Sequence, residues 1–507
     1  MKSLDILIYG GGAALFGAFV FIVWSYARGL RGSPRELFIL FFSKIIEYSA
    51  YSAMNLTFVL YLSADCGLGD IAAGSYIGVF STGITLATML VGAVVDAVGV
   101  KKTLVFGAGV LVVSRLALPF CRNVYLATLV GFFPLAIGIA ILLPVLSVGI
   151  KRYTTKEGAA LGFAMFYTLM NVGHYFGATI FDGVRATLGE HTIVTAPLLG
   201  VPLSTYQVIF LIGFALSVPN LVLMLLMRDG VEMTDDRGVV IRPAPPSAGN
   251  ILVASWRTMR TAAVDTGRIF REVFRERAFW RYLLMLGLLV FVRLVFYHFH
   301  YTFPKYGIRV LGPGLPIGHI YSALNPAMIV FLVPLLGWLT RKTSSYKVMM
   351  IGTWVSALSV FIAVVPARLL APLRDTWVGE LIFVRWLHIP EAQRNPLFLT
   401  LIAFVIVFTV GEALWSPRLM QFTAEIAPKG REGSYISLSY LPYFAAKPIV
   451  GVMSGWLLQT YVPKDAPAYP HHWMIWLWIG GMALISPLAL VVFRKMFRRA
   501  EQPEAAH

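Results

Sequence analysis

Long apolar segments recur along almost the entire chain and are separated by short polar connections. Each is about as long as the roughly 20 residues that a helix needs to cross a bilayer. The segments are too long and too uniformly apolar for the alternating strands of a membrane barrel, so they predict transmembrane α-helices. Thirteen spans are predicted, at 5–27, 37–63, 70–98, 103–121, 124–149, 158–184, 205–227, 279–303, 315–340, 346–366, 397–424, 432–461 and 472–493.

A polar stretch from 228 to 278 interrupts this series. If the first span is set aside, the stretch divides the other twelve into six and six. Its last part carries apolar residues at helical spacing with arginines between them, which predicts an amphipathic helix on the inner leaflet. The predicted units are an extra N-terminal transmembrane helix at 1–35, a six-helix unit at 36–228, a cytoplasmic linker at 229–278, and a second six-helix unit with a cytoplasmic tail at 279–507.

Composition and charge distinguish this chain from a soluble protein. Of its residues, 58% are hydrophobic and 13% are charged, whereas a soluble domain has about 25% charged residues. Lys and Arg concentrate in the connections after the odd-numbered spans, so the positive-inside rule places the N-terminus outside and the C-terminus in the cytoplasm. We expect a multi-pass protein of a plasma or inner membrane. The net charge of +17 indicates topology and contact with anionic lipid, and no nucleic-acid partner is expected.

The connection after the third span carries a recognisable pattern. Its positions are Gly92, Asp96, Gly99, Lys101 and Lys102. A glycine allows close helix approach, an acid stands at the membrane edge, and a second glycine precedes a basic turn. The pattern resembles the loop signature of the major facilitator superfamily, with a degenerate copy in which Arg341 takes the place of the acid. The resemblance implies an all-α membrane fold of two six-helix bundles, a substrate site between them, and conformational gating at these positions.

Several ionisable residues lie inside predicted spans: Lys44, Glu47, Arg115, Arg293, Glu412, Arg418 and Lys447. A charge at the bilayer centre costs at least about 2.5–3.5 kcal/mol, so each is a candidate functional group. Tyrosines share helix faces with several of them. We therefore expect a charged, aromatic cavity in which substrate contacts Lys44, Tyr48, Tyr51, Arg293, Tyr297, Glu412, Tyr443 and Lys447. For Arg115 and Arg418 the alternative, ion pairing that holds helices together, stays open.

Two further patterns resemble the proton-dependent oligopeptide transporter family. One consists of Gly411, Glu412, Ser416, Pro417, Ala427 and Pro428, and the other of Phe166, Tyr167, Asn171 and Gly173. The resemblance implies that Glu412 faces the central cavity, binds a substrate amino group, and makes or breaks a salt bridge as the cavity opens. It also implies that Pro417 bends its helix and contributes to gating.

The chain departs from that family where a peptide carboxylate would bind. The family's Glu-x-x-Glu-Arg motif is Lys44-Ile45-Ile46-Glu47-Tyr48 here, and its lysine before a proline corresponds to Leu143. The bases inside the spans also outnumber the acids, and a buried surplus of charge is costly unless it is compensated. We therefore expect Lys44, Arg293 and Lys447 to hold an anionic group, and Glu47 and Glu412 to carry protons.

These observations predict a secondary active transporter, coupled to protons, for a small zwitterionic or anionic solute such as a peptide or modified peptide. Two alternatives stay open: a proton-independent organic anion exchanger or uniporter, and a receptor or scaffold that does not transport. The sequence shows no metal-ligand cluster, phosphate-binding glycine loop or nucleophile beside a base, so neither an enzyme nor a cofactor is expected. The expected partners are the solute, protons and lipid, and a protein partner for the first helix stays open. Pairing of Cys66 with Cys121, both on the predicted outer side, also stays open.

Overall fold

In a computed structural model the described part of the protein is mostly helical. The structure describes residue 13 and residues 16–21, 23–26, 28–155, 157–195, 200–236, 238–241, 274–275, 277–426 and 441–494. The amphipathic helix predicted in the linker lies outside these residues. The predicted first span lies partly within them, in a short apolar helix at Phe16–Tyr26.

Six long helices form the first half of the chain. They are α1 Arg35–Ala64, α2 Asp70–Val98, α3 Val100–Ala117, α4 Phe133–Arg152, α5 Ala159–Leu188 and α6 Thr205–Leu225. Shorter helical pieces between α3 and α4 are Leu118–Phe120, Val124–Leu126 and a π-turn at Ala127–Phe132. Two antiparallel hairpins flank α6, formed by β1 Ile193–Thr195 with β2 Pro202–Ser204, and by β3 Val231–Thr234 with β4 Gly238–Ile241. A reciprocal capping box between Ser204 and Gln207 sets the start of α6.

The second half repeats this arrangement with more interruptions. Its helices are α7 Arg277–Tyr301, α8 Phe303–Val310, α9 Leu324–Leu339, α10 Ser345–Ser359, α11 Leu397–Ile426, α12 Leu441–Tyr461, α13 Trp473–Ala483 and α14 Ile485–Val492. A π-turn at His319–Ala323 leads directly into α9. Short pieces connect α10 to α11, at Val360–Val364, Ala367–Leu369, Ala371–Asp375, Trp377–Gly379, Glu380–Trp386 and Glu391–Gln393.

Ten helices among the described residues are long and apolar enough to cross a membrane. The predicted total of thirteen is therefore not confirmed. The predicted spans at 158–184 and 432–461 correspond to α5 and α12, which are helical but are not among the ten.

Helices of each half pack mainly against one another, as two bundles. In the first bundle α1 packs on α5 and α6, and α3 packs on α4 and α6, while in the second α11 packs on α9 and α10. The main contacts between the bundles are α2 along α12, and α5 along α9 and the π-turn before it, while α1 makes smaller contacts with α7 and α8. The expected all-α architecture of two bundles is confirmed.

Glycines set the spacing between α2 and α12. A Cβ atom added at Gly78 would lie 2.8 Å from the carbonyl oxygen of Lys447, and one added at Gly74 would overlap the carbonyl oxygen of Gly451. Gly455 likewise faces the backbone of α2 at Asp70. The helices thus meet backbone to backbone, which only residues without a side chain permit. We call this contact the glycine seam.

Candidate substrate site

Lys44 on α1 is a buried lysine enclosed by aromatic rings. Its Nζ lies 3.7 Å from the ring centroid of Phe166 and 4.0 Å from that of Tyr48, and the residue is 3% exposed. Ring faces attract a desolvated ammonium. No carboxylate in the described part of the chain forms an ion pair with Lys44, and Tyr48 continues the aromatic wall to Tyr51, 5.9 Å away between ring centroids.

Glu47, one turn further along α1, has a different environment. Its carboxylate forms a bidentate ion pair with Arg115 on α3, with N–O distances of 2.5 and 3.0 Å. Asn220 donates to Glu47 at 3.2 Å, and Arg115 also donates to Ser217 at 2.6 Å. The pair is almost fully buried and joins α1, α3 and α6. Helix-to-helix pairing, left open by the sequence for Arg115, is thus what the structure shows.

Glu412 on α11 is held by a residue that the sequence did not single out. Asn325 Nδ2 on α9 donates to Glu412 Oε2 at 2.6 Å and to Thr409 Oγ1 at 3.0 Å. Arg293 on α7 interacts electrostatically with Glu412 and lies 5.0 Å above the ring of Tyr443. The only signal for Asn325 is its position before Pro326 in an apolar span, where an amide needs a partner.

Lys447 on α12 connects the two bundles. Its Nζ donates to Thr85 Oγ1 at 2.6 Å and to the carbonyl oxygen of Ser81 at 3.1 Å, both on α2. It also lies 5.8 Å from the ring centroid of Tyr297. Each of these contacts is with a neutral group.

The predicted substrate residues therefore line one region between the bundles, which we call the central site. Tyr51 on α1 lies near Tyr297, and Tyr167 on α5 lies near Glu412 and Arg293. Tyr167 is 39% exposed although it faces the opposite bundle. That exposure indicates space for a ligand beside the charged groups.

The predicted gating residues lie away from the central site. Gly99 has a φ of 91° at the start of α3, a conformation that favours glycine, and Lys102 lies 3.6 Å from Asp229. Lys101 stands beside it in the first turn of α3. Gly92 and Asp96 lie in α2 where the side chains are outside the described part of the structure.

Two residues of α11 complete the predicted set. Pro417 lies inside α11, two turns from its end. Arg418 donates to Thr340 at the end of α9, at 3.0 Å to the hydroxyl and 3.3 Å to the carbonyl, a contact that sequence spacing did not indicate.

A cluster of ion pairs joins the bundles at the end that carries Asp70 and Asp182. We call it the outer end because the sequence predicts that it faces away from the cytoplasm. Asp182 on α5 accepts the backbone N–H groups of Gly318 at 2.9 Å and of His319 at 2.7 Å, and His319 Nδ1 lies 2.6 Å from it. A carboxylate of one bundle thus caps the first turn of a helix in the other.

Arg185 and Glu190 extend this contact. Arg185 donates to Asp182 at 3.0 Å and to the carbonyl oxygen of Leu315 at 3.1 Å, and it forms a short ion pair with Glu190. Glu190 also accepts the N–H of Gly314 at 2.9 Å. Burial by itself would raise the pKa of Glu190, but the Arg185 guanidinium and these hydrogen bonds hold it below its usual value.

Asp70 makes a second connection at the outer end. Its carboxylate pairs with Lys305 and with Arg309 on α8, each at 2.8 Å, and Arg309 reaches the carbonyl oxygen of Val462 at 2.7 Å. The nearby cysteines Cys66 and Cys121 are free thiols. The outer end is therefore closed by charges from both bundles. Sequence analysis did not find them because they lie at helix ends, where charged residues are ordinary.

Known proteins share this architecture. A family model described as Major Facilitator Superfamily matches residues 40–384. A curated protein of Bacillus subtilis (strain 168), "Uncharacterized transporter YclF", is 22% identical over 474 residues, which are 84% of this chain and 89% of that protein.

Solved structures agree over the length of the chain. A crystal structure of peptide transporter POT in complex with sulfate has a TM-score of 0.66 at 17% identity, covering 92% of this chain and 96% of that one. A POT family transporter in complex with 5-aminolevulinic acid has a TM-score of 0.64 at 16% identity, covering 92% and 97%. The chain is thus a multi-pass integral membrane protein with a transporter fold.

Proposed function

Because this chain belongs to the Major Facilitator Superfamily, we propose that it is a secondary active transporter for a small zwitterionic or anionic solute, such as a peptide or modified peptide, coupled to protons. The observation that carries the proposal is the central site, where Lys44 of one bundle and Arg293, Glu412 and Lys447 of the other line the same region. Charges at this depth are costly unless they serve a ligand or each other.

The solute's acidic group binds Lys44, Arg293 and Lys447. Tyrosines form the walls around it: Tyr48, Tyr51, Tyr297 and Tyr443. An ammonium group, if the solute has one, pairs with Glu412. The similarity to a POT family transporter solved in complex with 5-aminolevulinic acid, a small zwitterion, supports a solute of this kind.

Glu412 carries the coupled proton. The residue is 9% exposed and interacts electrostatically with Arg293 and Tyr167. Protonation of Glu412 removes its attraction for Arg293, which strengthens the attraction of that guanidinium for an acidic group of the solute. Glu47, also predicted to carry protons, suits the role less well. Its two oxygens are already held by Arg115, and protonating it would leave a buried guanidinium unpaired.

Alternating access requires the outer end to open. In the structure this end is closed by Asp70 and Asp182, and opening it breaks both contacts while the glycine seam parts. The loop residues Gly92, Asp96, Gly99, Lys101 and Lys102 and the bend at Pro417 are proposed to act during the same transition.

Uptake by proteoliposomes that contain a pH-sensitive dye tests the proposal. Mixed di- and tripeptides and 5-aminolevulinic acid, added under an inward-negative potential, are expected to drive acidification of the lumen. Glu412→Gln is expected to abolish the proton signal while the protein stays folded, and Glu391→Gln, in an exposed connection, serves as the matched control. Wild-type acidification in Glu412→Gln would refute the role of Glu412.

The basic character of the central site also supports a second candidate, a proton-independent organic anion exchanger. That activity would appear as exchange of labelled anion across liposomes at equal pH on both sides. The exchange would be insensitive to Glu412→Gln.

A further inference from the structure

We infer that the solute carries two negative charges, as a small molecule with two carboxylates or with a phosphonate does. This inference rests on the proposed function, because it assigns a ligand class to the same central site. It narrows the proposed solutes from zwitterions in general to acids whose negative charges outnumber their positive charges.

The argument begins with the charges that are already balanced. Glu47 and Arg115 neutralise each other inside the first bundle. Glu412 and Arg293 face each other in the second. Glu47 also acts electrostatically on Lys44, one turn away, but Arg115 already holds both of its oxygens.

Among the described residues of the central site, Lys44 and Lys447 remain. Aromatic rings enclose Lys44, and a carbonyl and a hydroxyl bind Lys447. These groups stabilise an ammonium but bring no negative charge. An ammonium has three N–H donors, and Lys447 uses two of them for the contacts with Ser81 and Thr85. One donor on Lys447, and those that Lys44 directs away from the rings, are available to a ligand.

When both lysines are protonated, their neutral protein ligands leave a charge of +2 in a region of low dielectric. This count takes Glu412 as ionised, and protonating Glu412 adds to the surplus. Such a surplus is compensated most directly by a bound dianion. Lys44 belongs to α1 and Lys447 to α12, so one dianion contacting both would bridge the two bundles. A neutral zwitterion adds no net charge and would leave the surplus in place.

Ligand-induced thermal stabilisation of the purified full-length protein tests the inference without requiring transport. The probes are alanyl-alanine, aspartyl-alanine, glutarate, a phosphonate dipeptide and alanyl-lysine. We expect the three probes with two acidic charges to stabilise the wild type at lower concentrations than alanyl-alanine, by about tenfold. Comparing glutarate with the phosphonate dipeptide distinguishes two separate carboxylates from one doubly charged group.

Substitution of Lys44 provides the sharper result. Lys44→Gln is expected to remove the preference for dianions, Lys44→Arg to retain it, and Lys44→Glu to reverse it in favour of alanyl-lysine. Lys464→Gln, at an exposed position of the outer end, is the matched control and should bind like the wild type.

A wild type that prefers alanyl-alanine would overturn the inference even if every Lys44 variant failed to fold. Unchanged preferences in a folded Lys44→Gln protein would overturn it as well. The proposed function can fail separately. If dianions bind but no protons move, the inference about the solute holds and the proposed proton symport is wrong. If peptides drive acidification but dianions are not preferred, the proposed symport holds and the inference about the solute is wrong.

Discussion

The contact of Asp182 with the opposite bundle is expected to determine how often the outer end opens. Asp182→Asn keeps the size of the side chain but replaces one acceptor oxygen with an NH₂ donor. The oxygen closest to His319 serves both its backbone N–H and its Nδ1, at 2.7 and 2.6 Å. Both contacts cross the interface between the bundles, so both are lost when the outer end opens.

Hydrogen bonds to a charged group are worth about 1.5–3 kcal/mol each. The two side chains are mostly buried, at 4% exposure for Asp182 and 17% for His319. Solvent screening therefore reduces the energy of these hydrogen bonds only in part. Losing two such bonds should shift the equilibrium between the closed and open outer end by about 3 kcal/mol, or roughly 100-fold. The contacts of Glu190 and Asp70 remain and limit the effect.

Distances between spin labels measure this shift directly. Labels at Thr187 on α5 and Gln393 in the second half are both exposed, and the free thiols Cys66 and Cys121 must be replaced first. We expect a population with a longer distance in Asp182→Asn that is minor in the parent. Asp375→Asn is the control, since that carboxylate is 75% exposed. A distance distribution identical to the parent's would refute the assignment of Asp182 as a connection between the bundles.

Two further predictions concern other charges. Removing either partner of the Glu47–Arg115 pair, as in Glu47→Gln or Arg115→Met, is expected to destabilise the protein by about 3–5 kcal/mol because the remaining charge is buried and unpaired. In thermal unfolding, the double variant should recover most of the stability that each single variant loses. A loss of stability in the double variant equal to the sum of the two single losses would argue against direct pairing. Because Glu190 has a lowered pKa, the stability it contributes is present above its unfolded pKa of about 4.3 and is lost as the pH falls through its lower folded value. The wild type should therefore be more stable than Glu190→Gln in thermal unfolding from neutral pH to about pH 5, and this difference should disappear in stronger acid.

The helices and the central site were predictable to different degrees. Membrane spans follow from apolar length alone, so most of the helices were expected. Residues of the central site were found because a charge or tyrosine in an apolar helix is conspicuous, as for Lys44 and Glu412. Sequence patterns report on single helices, however, so they could not show that Arg115 pairs with Glu47 or that Asn325 holds Glu412. Those facts depend on how helices distant in sequence pack.

The charges of the outer end illustrate the same limit. Asp182 and Glu190 resemble any charged residues at a helix end, and their role exists only because the loop and π-turn before α9 lie opposite them. The membrane orientation was predicted from loop charges and stays a prediction.

The close packing at the glycine seam has a consequence for proton leakage across the membrane. The proposed proton symport requires that protons do not cross the membrane without the solute, and a chain of water molecules between two helices would conduct them. Where Gly74 and Gly78 meet Gly451 and the backbone of Lys447, there is no room even for a methyl group, and thus none for water. The seam therefore insulates the outer side of the central site along this pair of helices, and a bulky residue there should make the membrane leak.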